Sequence, residues 1–465
     1  MDRKLKTGIL AVLIANLINV CFSLLTNFLL PKYLPIDSYA AIKTFQLYTS
    51  YVGLLHFGYI DGMYLKYGGI DLGYDIKDDL SLNLSTMKVF QVILTALFLA
   101  ISCGVGDSII ILFSLSILPQ NMINYFKYLY QATGEFPTYG RLMNLTTISS
   151  FALNIVLLLI VRTEDYLVYL CGYVIVFYLI WLLLEVQFNR THLIAKTKIF
   201  SWKELLQNIR SGFLLTLGNL ASMLLTSMDR WFVKFLLYTI DFAQYSFAVS
   251  VEGFLSLAIT PLTTTLYNFF CRERDEDKHR SILRHIWVFA TILPAAAFPV
   301  KLILELFLEK YLEACNVIFL LFSAQMFYII IRSVFLNLYK MQKKQNRYFL
   351  KLLFVLGVGF VFNYICFWIM HNKEAFALGT LLSAIVWYII SVIDFKYLKI
   401  TIYDYIYLIS ELIVFLLCGF YFNAILGFLV FIVFTMVMIY IFRKDSLKAI
   451  RVEINNVMKK SRSRV

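Results

Sequence analysis

The chain has 465 residues, of which 60% are hydrophobic and only 15% charged, and Lys and Arg outnumber Asp and Glu by 42 to 29, a net charge of +13. A soluble globular chain is about 45–50% apolar and about 25% charged, so this one cannot cover itself with polar surface, and a string of soluble domains is excluded in favour of one polytopic membrane protein. The basic excess would point to nucleic acid in a soluble protein; here its meaning depends on where the charges sit.

The chain begins with Arg3, Lys4 and Lys6 and turns apolar at Gly8. The apolar run continues to Leu30 with no small-x-small cleavage site, so it reads as an uncleaved first span, not a signal peptide. A spanning helix needs about 20 mostly apolar residues, and fourteen segments qualify. The first six are Gly8–Leu30, Tyr39–Tyr59, Met87–Cys103, Ser108–Tyr128, Leu142–Val161 and Tyr166–Val186. Six more follow at Phe213–Phe235, Phe242–Phe269, Ile286–Phe307, Val317–Leu338, Leu350–Met370 and Ala375–Phe395, then two at Ile402–Gly419 and Phe422–Phe442. The expected fold is therefore all-α, with about 14 transmembrane helices. They would form a six-helix bundle over 1–187, a second over 213–398, and two additional helices over 399–443.

Charge asymmetry orients these spans. Alternate connections carry basic clusters such as Arg190, Lys203 and Arg210, then Arg272, Arg280 and Arg284, then Lys340, Lys343, Lys344 and Arg347. The opposite connections hold only Lys32, Arg162, Lys301, Lys310 and Lys373. By the positive-inside rule both termini are cytoplasmic, in a multi-pass protein of the cytoplasmic membrane. The +13 is thus a topology signal first and an attraction to anionic membrane lipids second, and no nucleic-acid partner is expected.

Between the bundles, 188–212 reads as an amphipathic cytoplasmic linker. Ser201 and Glu204 fit a capping box for a surface helix with Trp202, Leu205, Leu206 and Ile209 on its apolar positions; an ordinary loop with one helical turn remains open. The tail 444–465 is basic, and Lys444–Lys460 reads as a second interfacial helix. A repeat relates the halves: Ala15-Asn16-Leu17 aligns with Gly218-Asn219-Leu220, and Asp37-Ser38-Tyr39-Ala40 with Ala243-Gln244-Tyr245-Ser246. Such parallel repeats build transporter folds. Pro119, Pro261, Pro294 and Pro299 fall within spans and are expected to interrupt them.

Charged groups inside spans cost roughly 2.5–3.5 kcal/mol at the centre on insertion scales and are functional-site candidates by default. Those that stand out are Lys43 in span two, Asp229, Arg230 and Lys234 in span seven, Glu252 in span eight and Arg332 in span ten. Lys43 and Lys234 lie near enough to an interface to snorkel. Asp229 and Arg230 are adjacent, so they point in different directions and need separate partners. Glu252 is too deep to snorkel and calls for a water-lined cavity or a partner, for which Arg332 is available. His56 reads as a satisfied interior histidine. Together four cations and two acids imply a cavity of positive character that accepts an anionic head group.

No CxxC, HExxH, GxSxG or GxxxxGK[ST] occurs, and the seven cysteines are scattered. No catalytic centre, metal site or cofactor is therefore expected.

Ser227-Met228-Asp229-Arg230-Trp231 late in span seven, followed by Tyr245-Ser246-Phe247-Ala248, resembles the polysaccharide flippases. These belong to the superfamily of multidrug and oligosaccharidyl-lipid exporters. Leu29-Leu30-Pro31 and Asp37-Ser38-Tyr39-Ala40 are similar to their first hairpin. The resemblance implies a V-shaped cavity and alternating access for an undecaprenyl-pyrophosphate-linked oligosaccharide of the O-antigen or capsule type. It places Arg230 at the family's basic position and Asp229 at its acid. Where family members often carry a basic residue in span one, this chain has Asn27.

The expected function is a non-enzymatic flippase. Arg230, Lys43, Arg332 and Lys234 would bind substrate; Glu252 or Asp229 would take a coupling proton or sodium ion; glycan-assembly proteins are candidate partners. The alternatives are a drug antiporter of the same fold, and a membrane glycan polymerase or ligase. The short outer connections argue against the last.

Overall fold

A computed structural model describes the backbone of residues 3–70, 76–192, 199–273 and 275–443, which is helical almost throughout and contains no strand. The expected basic tail over 444–465, with its interfacial helix, lies outside these residues, as does 193–198 of the expected linker. Eleven helical segments among the described residues are long and apolar enough to cross a membrane, so the chain is an all-α, multi-pass membrane protein. It divides into two compact units, Met1–Ser222 and Met223–Val465.

The first unit contains α1 (Arg3–Tyr33), α2 (Ile36–Ser50), α3 (Tyr59–Lys66), α4 (Lys77–Val105), α5 (Ser108–Ala132), α6 (Phe136–Ile155), α7 (Tyr166–His192) and the start of α8 (Trp202–Leu236). The turn between α4 and α5 shows how local chemistry sets the boundaries. Gly106 ends α4 at φ 76°, where a side chain would be strained. Asp107 then caps α5, accepting from Ile109 N at 2.7 Å and Ile110 N at 3.3 Å. α5 is the axis of the unit, packed by α2, α3, α4, α6 and α7.

The second unit contains the rest of α8, then α9 (Thr239–Glu252), α10 (Leu255–Arg272), α11 (Glu276–Ile292), α12 (Ala297–Phe307), α13 (Cys315–Ile330), α14 (Leu336–Met341), α15 (Gln345–Met370), α16 (Glu374–Asp394), α17 (Ile402–Tyr421) and α18 (Ala424–Phe442). Its axis is α13, buried at every position from Val317 to Ile330 and packed by α9, α11, α12, α16 and α17. An apolar helix with no polar face belongs in such a central place.

Three of the fourteen expected spans, the first, second and eighth, are not among these eleven. α1 is long enough, at 31 residues. The second and eighth are broken. α2 stops at Ser50, a tight helical turn covers Val52–His56, and Phe57 and Gly58 take φ 51° and 96° before α3. α9 stops at Glu252, and α10 restarts after Gly253 and Phe254. The two broken helices start at Ile36 and Thr239, 203 residues apart, and run 15 and 14 residues. The prolines are poorer guides. Helices continue through positions 119 and 261, and only Pro294 sits in a change of winding, the short turn Leu293–Ala296 between α11 and α12. Neighbouring helices in a bundle can satisfy the carbonyl that a proline frees.

The expected surface linker is replaced by continuous helix: α8 runs unbroken from Trp202 through Leu236. Half of the capping box forms, with Glu204 N donating to Ser201 Oγ at 3.3 Å. The Glu204 carboxylate goes elsewhere, accepting from Lys66 Nζ at 2.7 Å, Asn83 Nδ2 at 2.6 Å and Asn208 Nδ2 at 3.0 Å. Trp202 and Leu206 are 69% and 61% exposed, whereas Glu204 and Asn208 are buried. Leu205 is buried in the unit's core and Ile209 packs against it, beside the buried Glu204 and Asn208, while Lys203, Gln207 and Arg210 are exposed. Burial alone would lower the Lys66 pKa, but its bonds to Asp79 and Glu204 outweigh that and hold it above its ordinary value. The pair's contribution is therefore present at neutral pH and lost only above about pH 10.4, the ordinary lysine value.

Gly212 is a packing glycine. A Cβ there would stand 2.0 Å from Gly58 O and 2.4 Å from Gly62 N, so α8 and α3 cross backbone to backbone. Gly212→Val is expected to destabilise the fold by ~1–3 kcal/mol through overpacking, seen as a lower unfolding midpoint in detergent. An unchanged midpoint would contradict this crossing.

Two charged residues of α12 meet the facing ends of the last two helices. Lys301 Nζ donates to Gly419 O at 2.7 Å and Phe422 O at 2.6 Å, closing the end of α17. Glu305 accepts from Ala424 N at 3.3 Å, at the start of α18. Each charge thus meets the helix end of opposite polarity. Beneath them Phe298, Phe319, Phe415 and Phe431 form an aromatic cluster with centroids 5.1–5.8 Å apart.

Candidate functional site: a polar cavity in each unit

In the second unit, the breaks in regular helix surround a cavity of about 290 Å³. Asp229 comes from α8, Glu252 from the last residue of α9, Gln325 from α13 and Thr380 from α16. Arg332 comes from a wider helical turn, Ile331–Phe335. Interrupted backbone at membrane depth is tolerated where it lines a cavity, and such widened turns recur at functional sites.

The carboxylates are held differently. Asp229 is 5% exposed. Its Oδ2 accepts from Tyr245 OH at 2.7 Å and Thr380 Oγ1 at 3.3 Å, and its Oδ1 from Arg230 N at 2.8 Å. Glu252 accepts from Gln325 Nε2. Gln325 Oε1 is buried with no hydrogen-bond partner among the described residues. The Arg332 guanidinium lies over the Tyr328 ring, 5.4 Å from its centroid.

Arg230 and Lys234 do not line this cavity. Adjacent helix positions diverge by about 100°, so turning Asp229 toward Tyr245 and Thr380 turns Arg230 away. Arg230 is partly buried, and its Nε has no partner among the described residues. Lys234 Nζ lies 5.0 Å from the Phe242 ring centroid. The lining of this cavity thus sets two carboxylates, Asp229 and Glu252, against one guanidinium, Arg332.

The first unit has its own cavity, about 380 Å³, among α1, α2, α6 and α7. It is lined by uncharged polar and aromatic side chains, Asn27 among them. Lys43 is buried beside it, donating to Asn27 Oδ1 at 3.0 Å and lying 5.3 Å from the Tyr39 centroid. His56 is the expected interior histidine, its Nδ1 accepting from Gly58 N at 3.0 Å.

Four further charged residues, Lys88 and Glu185 half-buried and Asp61 and Glu411 buried, are not among the candidates drawn from sequence. Lys88 on α4 pairs with Glu185 on α7. Asp61 on α3 accepts from Thr216 on α8. Glu411 on α17 is fully buried, its Oε2 accepting from Thr435 on α18 at 2.8 Å. Lys88, Glu185 and Glu411 all fall inside expected spans, so the in-span charge rule applied without exception would have found them.

No family model matches the sequence, and no curated protein matches it. Solved structures do. The lipid II flippase MurJ in an inward closed conformation is 14% identical, with a TM-score of 0.63 over 95% of this chain and 99% of that one. An outward-facing multidrug resistance MATE family transporter of the MOP superfamily is 13% identical, with a TM-score of 0.45 over 85% of this chain and 97% of that one. A MOP superfamily transporter from Pyrococcus furiosus is 14% identical, with a TM-score of 0.44 over 85% of this chain and 97% of that one. The MurJ likeness spans nearly all of both chains and establishes the fold that the two share.

Proposed function

We propose that this chain is an ion-coupled flippase of the MOP superfamily that moves a polyprenyl-pyrophosphate-linked oligosaccharide across the cytoplasmic membrane by alternating access. The observation that carries the reading is the cavity shared by Asp229, Glu252 and Arg332 within a membrane bundle. Charge at membrane depth is expensive and marks a transport pathway. The MurJ-like fold supports the choice of a lipid-linked cargo. Asp229 and Glu252 bind the coupling proton or sodium ion. Lys43, Arg230, Lys234 and Arg332 meet the acidic pyrophosphate at successive stages of the cycle. Glycan-assembly proteins would supply the cargo.

The test is reconstitution into vesicles with two cargoes: a labelled lipid-linked oligosaccharide and a labelled lipophilic cation. Flipping of the first without transport of the second supports the flippase. A second reading, an antiporter of small organic cations, is favoured by the two-to-one excess of carboxylates in the cavity; transport of the cation alone would establish it instead.

The orientation follows from the basic connections. With both termini cytoplasmic, Glu164→Cys is expected to react with a membrane-impermeant thiol reagent on intact cells, and Lys278→Cys only after lysis. The opposite pattern would invert the topology.

A further inference from the structure

The first unit's cavity differs chemically from its counterpart. Of its fourteen lining residues, nine are Ser, Thr, Asn or Gln and five are Phe or Tyr; none is aliphatic and none carries a full charge. In a chain that is 60% hydrophobic, a wall without a single aliphatic residue is unusual. Its volume of about 380 Å³ lies within the range of about 300–1,000 Å³ typical of small-ligand pockets.

The wall rules against two occupants. Thr49, Thr146, Thr147 and Asn154 are already hydrogen-bonded within the unit, but an acyl chain or an apolar drug would offer nothing to the Gln46 amide, and polar groups left unmet are costly. A phosphate would want fixed positive charge in the wall, and none of the lining residues carries one; Lys43 stands only at the edge, on Asn27. Hydroxyl and amide groups that both donate and accept, set among aromatic faces, match a ring with hydroxyls on its rim and C–H bonds on its faces. Gln46 makes no side-chain hydrogen bond with the described residues, while Phe151 packs on Phe22 with centroids 4.6 Å apart. The two sit on opposite elements, α2 and α6.

We infer that this cavity is a binding subsite for the uncharged sugar portion of an amphiphilic cargo, separate in chemistry from the ionisable cavity of the second unit. The inference rests on the flippase reading, to which it adds where the glycan is recognised and by what.

The experiment titrates the full chain in nanodiscs with two probes: undecaprenyl pyrophosphate, and the same lipid bearing a neutral disaccharide. The wild type is expected to bind the glycosylated lipid at least about tenfold more tightly, a difference of about 1.4 kcal/mol. Gln46→Leu and Phe151→Leu should each remove most of that preference while leaving the affinity for bare lipid within about twofold, which also reports intact folding. If both variants keep the full preference, the sugar is recognised elsewhere and the inference fails while the flippase reading stands. If the wild type binds neither lipid, both fail together.

Discussion

Glu252→Gln is expected to reduce surface glycan at least about tenfold when it replaces the wild type in cells lacking the native copy, at equal membrane abundance. The substitution preserves size and the approach of Gln325 but removes a negative charge from a cavity that also holds Arg332. Hydrogen bonds to charged groups contribute roughly 1.5–3 kcal/mol, and each 1.4 kcal/mol is about tenfold in binding, so losing one interaction with the coupling cation suffices. Asp229→Asn is expected to act in the same direction. It keeps a side-chain oxygen to accept from Tyr245 and Thr380, so the fold should survive. Full export by both variants would remove the second-unit cavity from the mechanism.

Lys301→Met is expected to weaken the protein without touching either cavity. The side chain is 9% exposed and donates to two backbone carbonyls at the end of α17. Losing two charge-assisted bonds at about 1.5–3 kcal/mol each, with buried carbonyls left unmet, should cost at least about 3 kcal/mol. Glu305 would remain at the start of α18 without its complementary neighbour. The unfolding midpoint in detergent should fall by several degrees, while flipping per folded molecule is retained. An unchanged midpoint would show that the aromatic cluster of Phe298, Phe319, Phe415 and Phe431 holds these helices alone.

Hydropathy made the architecture legible because a lipid solvent imposes a simple rule: long apolar helices with their backbone bonds satisfied internally. The in-span charges Asp229, Glu252 and Arg332 were legible for the same reason and converge on one cavity. Their neighbours were not. Whether Asp229 or Arg230 faces inward depends on the rotation of α8, which Tyr245 and Thr380 decide from distant positions. Gly212 carries the same letter whether it ends a helix or lets two helices touch, and only the approach of Gly58 and Gly62 tells which. Lys301 looks like an ordinary interfacial lysine until α17 and α18 present their ends to it. The breaks after Ser50 and Glu252 were hidden because apolar composition continues through them. In each case the missing information lay in a partner far along the chain.

The central claim is that a cation bound among Asp229 and Glu252 drives movement of a lipid-linked glycan. Its most direct test is the rate of flipping of a labelled lipid-linked oligosaccharide by wild-type protein in vesicles carrying a sodium or proton gradient of either polarity. The account predicts that one polarity of one ion accelerates flipping at least several-fold and that reversing it abolishes the gain. A rate indifferent to both gradients in both directions would contradict it.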